Sequence, residues 1–277
     1  MSYKQFFLIM LALLFAGVEP TVAQNRSEFW KTPGAPPLKT RKVNNCAFGV
    51  GEKLTYSVNY GVINAGSATV EVLSDTTRIA GRPNYHLVSM AKSNKVFSLF
   101  FKVEDRIDSY QDKEGLFTWE SRVRLREGNY KADRYFVFDH YVKTATRNNK
   151  TVTKIPEFCT DAMGTYFYFR TLEFDVGDTI FLPIYESRKV YELAIPIVGR
   201  ETIKVPAGTF DCYKIIPQLV ENEAVFQSKG RMTLWVTADQ HRYLAKVASE
   251  VIFGTIHINL TEIQPGQIEC ESPTEND

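Results

Sequence analysis

The chain has 277 residues, 44% hydrophobic and 13% aromatic, which is enough material for a core and excludes a disordered body. Its 33 basic and 32 acidic residues leave a net charge of +1, so there is no sign of the basic face that nucleic-acid binding needs to displace phosphate counterions. No Cys-x-x-Cys and no close Cys/His group occurs, so structural zinc, thiol redox catalysis and a bound cofactor are not expected.

Residues 1–23 read as a secretory signal. Lys4 supplies the positive start and Phe6 to Val18 the apolar run. Glu19-Pro20-Thr21-Val22-Ala23 supplies the small-residue cleavage site, with the cut after Ala23. The run falls short of the roughly 20 apolar residues of a spanning helix, and no later stretch approaches that length, so no transmembrane segment is expected. Gln24 stands where a lipid-modified cysteine would be needed. The expected location is periplasmic or extracellular, where disulfides persist.

Residues 24–45 carry Arg26, Lys31, Lys39, Arg41 and Lys42 among prolines and read as a flexible basic tail; residues 269–277 read as an acidic one. Between them, 46–268 reads as a single β-rich domain. Four cysteines allow three connectivities. Cys46 lies just before the first strand and Cys270 just after the last, and domain termini commonly meet, so Cys46 with Cys270 is the preferred pair. Cys159 and Cys212 are left to pair or to remain buried thiols.

Alternation of period two dominates the body of the chain. Leu54 to Tyr60 places an apolar residue at every second position and Phe117 to Leu125 repeats the scheme with Ser121 as its one exception, the mark of strands with one wet face. The same pattern predicts strands over Gly66 to Leu73, Tyr85 to Ala91, Val103 to Tyr110, Tyr130 to Phe138 and His140 to Arg147. It continues over Thr179 to Tyr185, Val190 to Val198, Glu201 to Val205, Cys212 to Pro217, Gly230 to Val236, Leu244 to Phe253 and Thr255 to Gln264. Short turns such as Asn148-Asn149 require antiparallel neighbours, and about a dozen strands curl or split a sheet. The predicted fold class is all-β, mainly antiparallel: a strongly curved meander or open β-barrel, with a two-sheet sandwich as the alternative.

One segment, Asp161 to Leu172, breaks the alternation. Thr160 and Asp161 are both suitable N-caps, Gly177 lies beyond the end, and the predicted short helix carries four successive aromatics, Tyr166 to Phe169. They point all round such a helix, which should therefore pack in the concave side of the sheet.

Gly51-Glu52-Lys53-Leu54-Thr55-Tyr56, Ala65-Gly66, Asp161 with Arg170, Gly177-Asp178, Pro206-Ala207-Gly208-Thr209-Phe210-Asp211-Cys212 and Trp235 together resemble, in order and spacing, the exported bacterial domain of unknown function numbered 3108. The resemblance spans roughly Phe48 to Gln264. It implies a periplasmic or surface protein without an assigned activity. Gly164 stands where such proteins would be expected to carry serine, which argues against a nucleophile there.

No catalytic motif stands out, and no catalytic or metal-binding residue is assigned. The four histidines, His86, His140, His241 and His257, are scattered; Glu104, Asp105 and Asp108 share a short segment with Arg106. An envelope hydrolase acting on glycan or lipid would need two of these acids in one cleft, or a histidine beside a nucleophile. The preferred reading is a binding or carrier protein for a lipid or other apolar small molecule. Its cavity would be lined by Tyr56, Trp119, Tyr166, Phe169 and Trp235, with Arg170 near an anionic end. Buried in an aromatic helix, Arg170 needs a carboxylate such as Asp161 or Glu173, or a bound anion. Val96-Phe97-Ser98-Leu99-Phe100-Phe101 is either buried under the helix or an exposed patch for lipid or for an envelope protein partner, the latter making the chain an interaction scaffold.

Overall fold

The computed structural model describes residues 37–270, apart from 74–77, 187, 222–223, 227–231 and 252–253. The predicted signal, the first part of the basic tail and most of the acidic tail lie outside the described residues. The first nine strands are β1 (Lys53–Tyr60), β2 (Ile63–Leu73), β3 (Arg78–Ile79), β4 (Arg82–Ser93), β5 (Glu104–Asp112), β6 (Thr118–Glu127), β7 (Tyr130–Asp139), β8 (Thr144–Arg147) and β9 (Thr151–Lys154). After the helix α1 (Ala162–Phe169) come β10 (Thr179–Glu186), β11 (Lys189–Val205), β12 (Gly208–Ile215), β13 (Gln218–Glu221), β14 (Ala224–Phe226), β15 (Met232–Thr237), β16 (Leu244–Val251) and β17 (Gly254–Gln264).

The sheet is an antiparallel meander in which the first and last strands of the chain meet near the centre. β1 pairs on one side with β2 and on the other with β17. From β2 the sheet runs through β4, β5, β6, β7 and β8 to β9. From β17 it runs through β16, β15 and β12 to the second half of β11, whose first half pairs with β10 and β13. A sheet of this width must curl. It forms an open barrel, unclosed, around α1. Alternation fixes the faces: on β1, Leu54, Tyr56 and Val58 are buried while Lys53, Thr55 and Ser57 are not.

Three expectations need correction. The strand predicted over His140 to Arg147 begins only at Thr144, because Lys143 adopts a left-handed backbone (φ 55°) inside a turn. The two strands predicted over Val190 to Val198 and Glu201 to Val205 are one, β11, whose pairing with β12 shifts between Ile197 and Gly199 where the strand changes partners. The end of the basic tail is not a free tether. Arg41 donates from Nε to the Gly115 carbonyl at 2.8 Å and lies 4.1 Å from the Tyr168 ring centroid, while buried Asn45 accepts from the Ala47 and Phe48 amides. A guanidinium that finds carbonyls and an aromatic face is held rather than solvated.

Cys46 and Cys270 form the preferred disulfide, with Cα atoms 4.8 Å apart. Cys159 and Cys212 are free and buried. Burial pushes both thiols up to about 12, so they are inert at neutral pH.

Candidate functional site

The helix is anchored at both ends by charge. At its start Asp161 is the N-cap, and its Oδ1 accepts from Gly164 N at 2.8 Å, Ser109 Oγ at 2.9 Å and Thr118 Oγ1 at 2.9 Å. Burial raises the Asp161 pKa, and the Ser121, Gly164, Ser109 and Thr118 bonds oppose that rise. At its end Arg170 donates from Nη1 to Glu52 Oε1 at 2.6 Å, from Nη2 to Glu52 Oε2 at 2.9 Å and from Nε to the His241 carbonyl at 2.8 Å. The partner is thus neither Asp161 nor Glu173. Nine residues of helix rise put Asp161 roughly 13 Å from Arg170, and the β1 end supplies Glu52 instead. With this fork and four aromatic rings around it, Arg170 is enclosed and does not face an anionic ligand.

The six candidate ligand residues do not line one cavity. Tyr56, Tyr166 and Phe169 belong to the main core, where Phe169 stacks on Phe174 at 4.8 Å and Tyr166 Oη accepts from Leu244 N at 3.2 Å. Trp119 sits in a separate cluster with Phe117 and Tyr110 and donates to Asp112 Oδ2 at 3.1 Å. Trp235 packs with Cys212 and Ala245 in a third and donates to Glu201 Oε1 at 2.6 Å. Strand pairing, invisible in a single segment, sends these aromatics to different places.

The histidines are equally dispersed. His86 Nε2 lies 2.8 Å from Asp108 Oδ1, which also accepts from Arg106; against burial, the hydrogen bonds from His86 and Arg106 keep the Asp108 carboxyl at about 2. His140 is buried beside the Thr118 carbonyl, and burial lowers it to about 4. His241 Nδ1 lies 3.2 Å from the Ala47 carbonyl. Glu104 is shared by Lys102 and Lys92, whereas Asp105, on the other face of β5, accepts from the Arg126 amide. No group of three metal-ligating side chains occurs among the described residues.

A different feature stands out at one end of the barrel. The β1–β2 turn and the loop between β4 and β5 lie side by side because β2 pairs with both strands. Asn94 locks them, donating from Nδ2 to the Asn64 carbonyl at 2.7 Å and from its backbone N to the Ala65 carbonyl at 2.9 Å. The loop is braced from within, where Phe97 N donates to Asn94 Oδ1 at 2.8 Å and Ser98 Oγ donates to the Asn94 carbonyl at 2.6 Å, and from the β6–β7 turn, where Gly128 N donates to the Lys102 carbonyl at 2.7 Å. Yet three of its apolar side chains face water, while Phe97 and Phe101 are half-buried. Val96 is 70% exposed, Leu99 83% and Phe100 85%, beside Ile63 at 61% and a fully exposed Val62. The segment Val96 to Phe101 is therefore the exposed patch, not a strip buried under the helix. Val62 and Ile63 escaped the sequence reading because only the β1–β2–β4 pairing brings them to it. Lys92, Lys95 and Lys102 surround the tip, all exposed. Next to it lies a cavity of about 360 Å³ lined by Ser57, Asn64, Ser67, Lys92 and Asn94 among others.

A family model described as "Protein of unknown function (DUF3108)" matches residues 55–261. No curated protein matches the sequence. Among solved structures, the chain is similar to a beta-barrel-like protein of the domain of unknown function DUF1849 from Brucella abortus, at 6% identity and a TM-score of 0.51, covering 80% of this chain and 100% of that one. That likeness is one of fold alone. A protein with YmcC-like fold from Bacteroides fragilis aligns at 12% identity and a TM-score of 0.30, over 80% of this chain and 99% of that one.

Proposed function

The chain belongs to the DUF3108 family of proteins of unknown function, and from that premise we propose that it is an exported envelope protein that binds a lipid surface through one apolar end of its barrel. Export is supported by the signal-like residues 1–23, and an oxidising compartment by the Cys46–Cys270 bond. The reading keeps the expected lipid-like partner but moves it outside. Aromatic side chains pack the space around the helix, so contact at the surface replaces enclosure.

A single observation carries the proposal: Val62, Ile63, Val96, Leu99 and Phe100 are exposed together on two loops that hydrogen bonds hold in shape. Braced loops that keep large apolar groups in water are a binding surface, since folding by itself would favour burying them. Removing one such side chain from water is worth roughly 1.5–3 kcal/mol, so two or three of them give a reversible attachment. The lysine collar selects the occupant. Lys92, Lys95 and Lys102 surround the apolar tip with Glu104 as the acid between two of them, and this excess of positive charge matches an anionic bilayer.

The test is flotation of the mature protein with vesicles of phosphatidylcholine and phosphatidylglycerol. The wild type should float, and the Leu99→Ser/Phe100→Ser double variant, whose side chains touch no core, should stay at the bottom while keeping its melting temperature. Equal flotation of the two would remove the basis of the proposal.

A further inference from the structure

The cavity beside the tip has a composition that the apolar surface does not explain. Ser57 on β1 lies directly opposite Ser67 on β2, and Ser67 lies directly opposite Lys92 on β4. Directly opposed residues in adjacent strands share a face, and neighbouring strands are about 4.8 Å apart, so two hydroxyls and an ammonium form one cross-strand row roughly 10 Å long. All three line the cavity, together with Thr55, Thr261 and the two asparagines that lock the loops.

Donors dominate this row. Ser57 Oγ already accepts from Asn59 Nδ2 at 3.3 Å, which leaves its own hydroxyl hydrogen for another acceptor. Lys92 approaches Glu104 only at 4.0 Å, and that carboxylate lies closer to Lys102, at 3.4 Å. No carboxylate is among the residues lining the cavity. Hydroxyl donors in line with a cation, without a lining acid, complement an oxyanion far better than a cation or a neutral apolar group.

Resting on the lipid-surface reading and refining it, we propose that the Ser57–Ser67–Lys92 row binds an anionic phosphate group, placed at headgroup depth when the apolar tip enters the bilayer. The tip supplies unselective attachment. The row supplies the preference for phosphate that is not cancelled by a headgroup cation. Free inorganic phosphate shares this chemistry, so both sources are tested.

The experiment is a titration of the mature protein followed through the backbone amide signals of Ser57, Ser67 and Lys92, with inorganic phosphate in one arm and a water-soluble short-chain phosphatidylglycerol in the other. Saturable shifts in the second arm alone assign a lipid headgroup; saturation in the first assigns free phosphate. Absence of shifts in both arms overturns the proposal. Lys92→Gln should weaken binding about fivefold, near the worth of one lysine at an anionic surface. Ser57→Ala/Ser67→Ala should weaken it comparably with no change in charge, and Lys154→Gln, exposed on β9 and outside both the cavity and the collar, should leave it unaltered. Equal losses in Lys92→Gln and Lys154→Gln with a silent serine pair would mean diffuse attraction and would also overturn the site. Vesicle flotation separates the two ideas. Flotation that persists without amide shifts sinks the phosphate site alone, whereas amide shifts without flotation sink the lipid-surface reading alone.

Discussion

The Arg170 guanidinium and the Glu52 carboxylate meet in a two-bonded fork, although 118 residues separate them along the chain. The fork joins the last turn of the helix to the segment that opens β1, so it ties the concave filling to the middle of the sheet. Burial opposes the charge on Arg170, and Tyr166 and Glu52 more than restore it, so the group is held protonated. Glu52→Ala should destabilise the fold by about 3–5 kcal/mol, because it leaves a buried cation without its partner. Replacing both residues with methionine should recover most of that loss. Urea denaturation of the three proteins reads the effect, and a Glu52→Ala midpoint equal to wild type would show the pair to be dispensable.

Gly164 is a case where a usual preference reverses. Alanine ordinarily stabilises a helix by about 1 kcal/mol over glycine. Here a Cβ would lie 2.5 Å from Thr118 Oγ1 and 3.0 Å from Asp161 Oδ1, so a side chain collides with the groups that cap the helix. Gly164→Ser should cost about 1–3 kcal/mol, and Thr118→Ala in the same chain should return part of it. A Gly164→Ser protein as stable as wild type would show that the cap yields without loss.

Two buried groups give opposite pH dependences over overlapping ranges. His140 titrates near 6.5 when unfolded and at about 4 when folded, lowered by burial against its Thr118 bond. The unfolded chain therefore binds the extra proton between these values, and stability falls as pH drops from 6.5 toward 4, by roughly 3 kcal/mol in full. Glu127 moves the other way. Burial and the neighbouring Asp105 raise it from 4.5 to about 7, with Arg134 opposing, so the folded chain holds the extra proton and stability falls as pH rises through that window. The wild type should thus show a shallow profile. His140→Gln should expose a decline toward neutral pH, and Glu127→Gln a decline toward acid. Melting temperatures from pH 4 to 8 distinguish them, and parallel profiles in the two variants would contradict both assignments.

The Cys46–Cys270 bond closes a loop of 224 residues. In the chain-entropy account, a loop this long is worth roughly 5 kcal/mol, an upper value. Cys46→Ser or reduction should lower the denaturation midpoint without moving Cys159 or Cys212, which are buried elsewhere. A midpoint insensitive to reductant would mean that Gln267 N bonding to the Val50 carbonyl at 2.8 Å, with the β1–β17 ladder, already holds the termini.

Much of this architecture follows from local residue patterns. Period-two alternation marks β1 and β17 because each is dry on one face and wet on the other, whereas β6 buries Thr118 to Ser121 on both faces and has a wet face only in its second half. The Asn148-Asn149 turn was readable for the same local reason: both residues adopt left-handed backbone (φ 49° and 56°), which asparagine tolerates. Position in the chain was enough to pair Cys46 with Cys270, and the run of four aromatics to place the helix inside the curve.

Tertiary structure alone decided what the charged and apolar extras do. Glu52 as the partner of Arg170, the scattering of Tyr56, Trp119 and Trp235 into separate clusters, and the joining of the β1–β2 turn to the β4–β5 loop through Asn94 all depend on which strands pair and in what register. Alternation says which residues share a face of one strand, but a one-residue slip between strands reassigns every cross-strand neighbour, and no single segment records that choice. An apolar run reads alike whether a sheet covers it or water does. Only the packed fold left Val96, Leu99 and Phe100 uncovered, and with them the surface on which the proposed function rests.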